Sequence, residues 1–301
     1  MSDPYAPHNA FVDLARHAPE PRRLFMVIIA VELLLTFSPL APTLLMSEVT
    51  VPAYFDGFTP AMVIAQLLSF AVTAAGLTLI VNRLHTRGFW SMVGPIGATL
   101  TNLRACLLGV GALMIVQIFL PPWIIMAEVE TTRPIASWLF WAVVAFGAIV
   151  IQAGTEELYF RGYLQQQFAA LSQNKLLWMG VPSLLFGAGH YMNGYGVADG
   201  LVYAFWASLL GLACADLTAR TGNIGAAVGL HVANNMSAFL LVHVHGWPSS
   251  GLALFLYPYE DPHSYDYSLQ ALLSLGGLLD VIIAALMVLV MWLAARIAIA
   301  K

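Results

Sequence analysis

W138-L-F-W-A-V-V-A-F-G-A-I-V-I-Q-A-G-T-E-E-L-Y-F160 is followed at once by Arg161. From Trp138 to Ile151 the segment is apolar or glycine without interruption. At about 1.5 Å per residue a helix over 138–160 is long enough to cross the ~30 Å hydrocarbon layer of a bilayer. Two carboxylates, Glu156 and Glu157, sit inside that segment. Ionisable groups at membrane depth are costly, so they pair, line a wet cavity or do chemistry.

The rest of the chain has the same character. Of its 301 residues 60% are hydrophobic and only 9% charged, and the mean hydropathy is +0.80. Soluble domains hold about a quarter charged residues, so the composition places this chain in a bilayer. Apolar segments occur at about 24–46, 61–81, 105–125, 138–160, 176–190, 197–219, 225–242 and 269–298. None shows the alternation of a barrel strand, and the expectation is an all-α polytopic protein with about eight transmembrane helices. Arg16, Arg22 and Arg23 precede the first segment and put the N-terminus in the cytoplasm. Alternating from there leaves Arg133 as the single basic residue outside and both termini cytoplasmic.

Residues 1–23 read as a cytoplasmic arm with a short surface helix at 9–18, and 24–301 as one transmembrane domain. The first span is too long for a signal-peptide core and reads as retained. Cys106 and Cys214 are the only cysteines, which excludes a disulfide framework or a cysteine metal cage. The outer loop 243–268 carries His243, His245, His263, Glu260, Asp261 and Asp266 without a trusted ligand spacing, and it reads as a solvated loop with an aromatic belt. Glu32 and Asp280 are isolated acids in spans, equally suited to a structural or a functional role.

Chemistry is concentrated between 154 and 235. Glu156 and Glu157 point about 100° apart on a helix and cannot both face one site. Glu157 and Arg161 are spaced i, i+4 with the acid first, the better orientation for an ion pair. That division assigns Glu157 and Arg161 to holding the helix and leaves Glu156 to face a cavity. Phe186 and His190 share a helix face at i, i+4, as do His231 and Asn235. A carboxylate, two imidazoles and a carboxamide are the parts that activate water and hold an oxyanion.

E-E-x-x-x-R at 156–161, F-x-x-x-H at 186–190 and H-x-x-x-N at 231–235, in this order on successive apolar segments, resemble the CPBP intramembrane protease family. This is the CAAX protease and bacteriocin-processing group, also called Abi. R161-G-Y-L and T218-A-R-T-G-N-I add to the likeness, which covers about 138–242. The resemblance implies a peptidase that hydrolyses peptide bonds of membrane-associated substrates with an activated water. It implies Glu156 as general base, His190 as the residue positioning the water, and His231 with Asn235 as oxyanion donors, supported by Glu157, Arg161 and Phe186.

Zinc is the competing mechanism, with Glu156, His190 and His231 as three ligands. Glu157 would then have to act as base, in conflict with its pairing to Arg161, and no H-E-x-x-H is present. A reaction without metal or cofactor is therefore favoured. A non-proteolytic transporter or scaffold with a polar cavity is the alternative from another class, although no span pair shows the broken, repeated pattern of a transporter. No G-x-S-G or G-x-G-D supports a rhomboid-like or aspartyl protease. The expected partners are the lipid bilayer and a membrane-associated peptide or protein, and no nucleic acid. The expected location is a bacterial cytoplasmic membrane, where prenylated CAAX substrates are not expected. Hydropathy sets Glu156 near the cytoplasmic end of the fourth span and His190 deeper in the fifth. The two meet only if 162–180 form an interfacial helix between spans four and five.

Overall fold

The computed structural model describes residues 3–48, 50–120 and 128–300. The helices that matter here are α1 (Ala6–Val12), α2 (Pro21–Phe37), α3 (Pro60–His85), α4 (Ile96–Ile118), α5 (Ile135–Glu157), α6 (Val181–His190), α7 (Val197–Thr221), α8 (Gly225–Leu240) and α9 (Leu275–Ala298). The protein is an all-α polytopic membrane protein. Among the described residues six stretches are long and apolar enough to cross a bilayer, including Pro21–Leu45 and Ile135–Leu171. The two remaining apolar segments form α6 and α8, of 10 and 16 residues. Sixteen residues of helix reach only about 24 Å, short of a ~30 Å core. The last residues of the expected third segment, 121–125, lie outside the described residues.

Local signals set the helix ends. Thr59 caps α3 by accepting from the Met62 amide, and Pro60 occupies the first turn, where its missing N–H is harmless. Ser274 caps α9 through the Gly277 amide in the same way. The helix α7 stops at Gly222, whose left-handed φ of 68° lets its amide return to the Thr218 carbonyl. Between the spans, β1 (Thr131–Thr132), β2 (Val242–Val244) and β3 (Phe255–Tyr257) form a small sheet in the order β1-β3-β2. Strand β3 runs antiparallel to β1 and parallel to β2.

Packing brings α8 to the centre. A Cβ on Gly229 would lie 2.5 Å from the Leu103 carbonyl of α4, so only glycine allows the two backbones this close. Gly187 of α6 likewise has no room for a side chain beside Ala204 and Ser208 of α7. Most of α8, including His231 and Asn235, is buried as a result. Large apolar side chains such as Leu79, Leu108, Val143 and Leu286 stay exposed on the outside of the bundle, as a lipid-facing surface requires.

Two expectations about local structure change. Residues 162–171 are not a separate interfacial helix: they continue α5 through a π-helical stretch, Leu158–Gln165, and a last α-helical piece, Gln166–Leu171. The N-terminal arm is docked, and the helix expected at 9–18 starts earlier, as α-helix over Ala6–Val12 continued by a 3-10 turn over Asp13–His17. Val12 and Ala15 are fully covered. The Tyr5 hydroxyl donates to Asp216 at 2.6 Å, and the His8 ring lies 4.4 Å from that of Trp178. His85, which closes α3, bonds through Nδ1 to the Ala18 carbonyl and through Nε2 to the Tyr163 hydroxyl.

Candidate active site

The π-helical stretch begins directly after Glu157 and carries Arg161 into the core. Such stretches are frequent at functional sites because the extra residue re-aims side chains. Arg161 is fully buried, and its Nη1 donates to Glu157 Oε1 at 3.0 Å. Its guanidinium lies 4.9 Å from the centroid of Phe186 and 5.7 Å from that of Phe160. Room for it comes from Gly211 of α7, where a Cβ would approach Nη2 to 3.0 Å. A buried pair of this kind is costly to break, because the survivor is left as an uncompensated charge.

The carboxylates differ in environment as their helical phase requires. The Glu157 side chain has no exposed surface, whereas that of Glu156 is 11% exposed. His231 touches both: Nδ1 is 2.8 Å from Glu157 Oε1, and Nε2 is 3.4 Å from Glu156 Oε2. A carboxylate paired with an arginine only accepts, so Nδ1 carries a proton and donates it. The contact at Nε2 is an ion-pair distance without hydrogen-bond geometry, and Glu156 Oε2 has no hydrogen-bond partner.

Asn235 lies one turn beyond His231. Its Nδ2 donates to Gln152 Oε1 at 2.8 Å, and its Oδ1 accepts from Asn234 Nδ2 at 3.0 Å. One amide hydrogen remains for another acceptor. Gln152 and Asn234 were not singled out from the sequence. The signal for Gln152 was its place four residues before Glu156, as the first polar side chain after fourteen apolar or glycine positions. Asn234 gave no signal beyond adjacency.

His190 is held differently. Its Nδ1 donates to the Phe186 carbonyl at 2.8 Å. The Phe186 ring is 4.5 Å from that of His190 and 5.6 Å from that of His231, so it stands between the two imidazoles. Among the described residues no hydrogen bond links His190 to either carboxylate. Glu156 lies fifteen residues before Leu171, where the continuous helical stretch Ile135–Leu171 ends. It is not near a helix terminus.

A zinc ion would need three of these side chains to converge. Both imidazoles have Nδ1 committed to an acceptor, and Nε2 of His231 lies 3.4 Å from Glu156 Oε2. Among the described residues, no three His, Cys, Asp or Glu side chains converge closely enough to hold an ion, so Glu156, His190 and His231 do not form a ligand set here. The outer-loop histidines form none either. Cys106 and Cys214 are both buried and unpaired to one another.

Fold and site together define a polytopic helical membrane protein with a buried carboxylate, imidazole and amide cluster drawn from separate helices. Residues 135–237 match the family described as Type II CAAX prenyl endopeptidase Rce1-like, a peptidase family consistent with the CPBP resemblance of the three motifs. The chain is also similar to the uncharacterized protein YyaK of Bacillus subtilis (strain 168), at 37% identity over 106 residues. That alignment covers 34% of each chain, so the likeness reaches about a third of the relative's length. No solved structure matches the chain.

Proposed function

We propose that this protein is an intramembrane endopeptidase that hydrolyses peptide bonds of membrane-associated substrates with a water activated by Glu156. The observation that carries this reading is the unequal pair of carboxylates around His231. Each carboxylate keeps one oxygen without a hydrogen bond, but Glu157 is fully buried and bound by Arg161 and His231, while Glu156, among the described residues, meets only His231 Nε2, at 3.4 Å, and is 11% exposed.

In this scheme Glu156 takes one proton from water as the oxygen attacks the scissile carbonyl carbon, and His190 Nε2 accepts from that water to orient it. The imidazolium of His231 and the remaining amide hydrogen of Asn235 receive the oxyanion. The Glu157 carboxylate stabilises the imidazolium through Nδ1, as the acid of a catalytic triad does. Collapse of the tetrahedral intermediate breaks the C–N bond, and Glu156 returns its proton to the leaving nitrogen. Each preorganised donor in a dry site contributes on the order of 3 kcal/mol to transition-state binding. No step in this scheme requires a metal.

The charge bias of the loops supports both termini being cytoplasmic, with cleavage at or just below the cytoplasmic leaflet. Membrane peptidomics of cells carrying the wild type or Glu156→Gln tests the function without a guessed substrate. Peptide boundaries present only with the wild type are expected. Identical peptide sets from both strains, at equal protein levels, would overturn the reading.

A further inference from the structure

Glu32 is a carboxylate that the catalytic scheme does not use. It is the twelfth of 25 residues in the span Pro21–Leu45, close to the middle of the bilayer by count. The helix α2 is two-faced: Leu24, Val27 and Val31 are buried, whereas Phe25, Ile29, Glu32 and Thr36 are exposed. Those four positions step by four, three and four residues, so they form one outward stripe. Its other members offer hydrocarbon surface and a hydroxyl, with Phe25 62% and Ile29 46% exposed. The Thr36 hydroxyl is used by the helix itself, donating to the Glu32 backbone carbonyl at 2.8 Å.

Among the described residues the Glu32 carboxylate has one hydrogen bond, from the Tyr159 hydroxyl to Oε1 at 3.2 Å. Lipid chains supply no donor for its other oxygen, and an acid left facing them at mid-depth is expensive. A second copy of this chain docked on the same face by a two-fold axis would bring Glu32 towards Glu32, which adds repulsion instead of removing it. The complement to an apolar stripe with one central acid is an apolar helix with one central base.

We propose that the outward face of α2 docks a transmembrane helix of another protein that carries a lysine or arginine at mid-membrane depth, with Glu32 as its ion-pair partner. Tyr159 ties this face to the site: it follows Glu156 by three residues, and its ring is 4.7 Å from Phe160, which packs on Phe186. A helix seated here is one side chain away from the catalytic helix. The inference does not depend on the hydrolytic reading, since docking is measured without turnover.

The full chain is placed in nanodiscs, and association of a labelled poly-Leu/Ala peptide of about 20 residues is read by energy transfer. One peptide has a central lysine and the other a central leucine. The lysine peptide should bind the wild type at least about tenfold more tightly. That preference should vanish in Glu32→Gln, which keeps an acceptor for Tyr159, and persist in Glu156→Gln. Ile29→Trp, which obstructs the stripe without touching the acid, should weaken the lysine peptide and serves as the second variant if Glu32→Gln folds poorly. Equal binding of the two peptides to the wild type, or a lysine preference that survives Glu32→Gln, would overturn the proposal. So would self-association of the chain that Glu32→Gln abolishes, which would assign the face to a second copy.

Discussion

His231 Nδ1 and Arg161 Nη1 converge on the same oxygen of Glu157, at 2.8 and 3.0 Å. One carboxylate therefore fixes both the tautomer of an imidazole on α8 and the position of a guanidinium on the catalytic helix. The neighbouring Glu156, among the described residues, meets only His231 Nε2, at 3.4 Å, and the proposed function rests on this asymmetry between the two acids.

Glu156→Gln should lower cleavage by about 10²–10⁴-fold, the range for loss of a general base, with the melting temperature in detergent unchanged. Glu157→Gln and Arg161→Ala should each lower stability by about 3–5 kcal/mol as well as activity, because each strands a buried partner. Thermal melts beside a cleavage assay separate the two cases. Wild-type activity in Glu156→Gln would remove it from the mechanism.

Asn235→Ala should reduce kcat by about 10²–10³-fold with little change in KM, as expected for a donor that acts on the transition state. Gln152→Leu should give a smaller kcat loss, since the Asn235 amide is retained but loses its anchor at 2.8 Å. Steady-state kinetics on one peptide decides between this order and its reverse.

Exhaustive chelation of the purified protein should leave cleavage intact, and elemental analysis should find no stoichiometric zinc. Activity lost to the chelator and restored by zinc would instead require Glu156, His190 and His231 to close on an ion.

The docked N-terminal segment should loosen in acid. Burial, with a smaller contribution from the Arg16 charge, lowers His8 from 6.5 to about 4. Above pH 6.5 His8 is neutral whether the segment is docked or free, and there is no penalty. As pH falls from 6.5 to 4 the free form takes up a proton that the docked form resists, and docking loses on the order of 3 kcal/mol. Hydrogen exchange over residues 3–18 should rise across that window in the wild type and be flat in His8→Phe.

Gly229→Ala should destabilise the bundle by roughly 1–3 kcal/mol, because the added methyl meets the Leu103 backbone and not a side chain that can turn away. A melt unchanged by this substitution would mean that α4 and α8 can separate at little cost.

Composition by itself determined that the chain is a helical membrane protein, since a chain only 9% charged cannot present a soluble surface. Helical phase by itself split Glu156 from Glu157, and i, i+4 spacing paired Glu157 with Arg161, because these are relations within one turn. Hydropathy could not give the depth of Glu156. It marks where apolar residues stop, whereas the helix runs on to Leu171 through three glutamines, Gln165 to Gln167, kept from solvent by the folded chain. Contacts between helices were decided by tertiary structure alone: His231 on Glu157, Asn235 on Gln152, and Phe186 between two imidazoles. They depend on how closely backbones approach at residues such as Gly187 and Gly229, and a linear pattern holds no record of which distant carbonyl fills the space a missing side chain leaves.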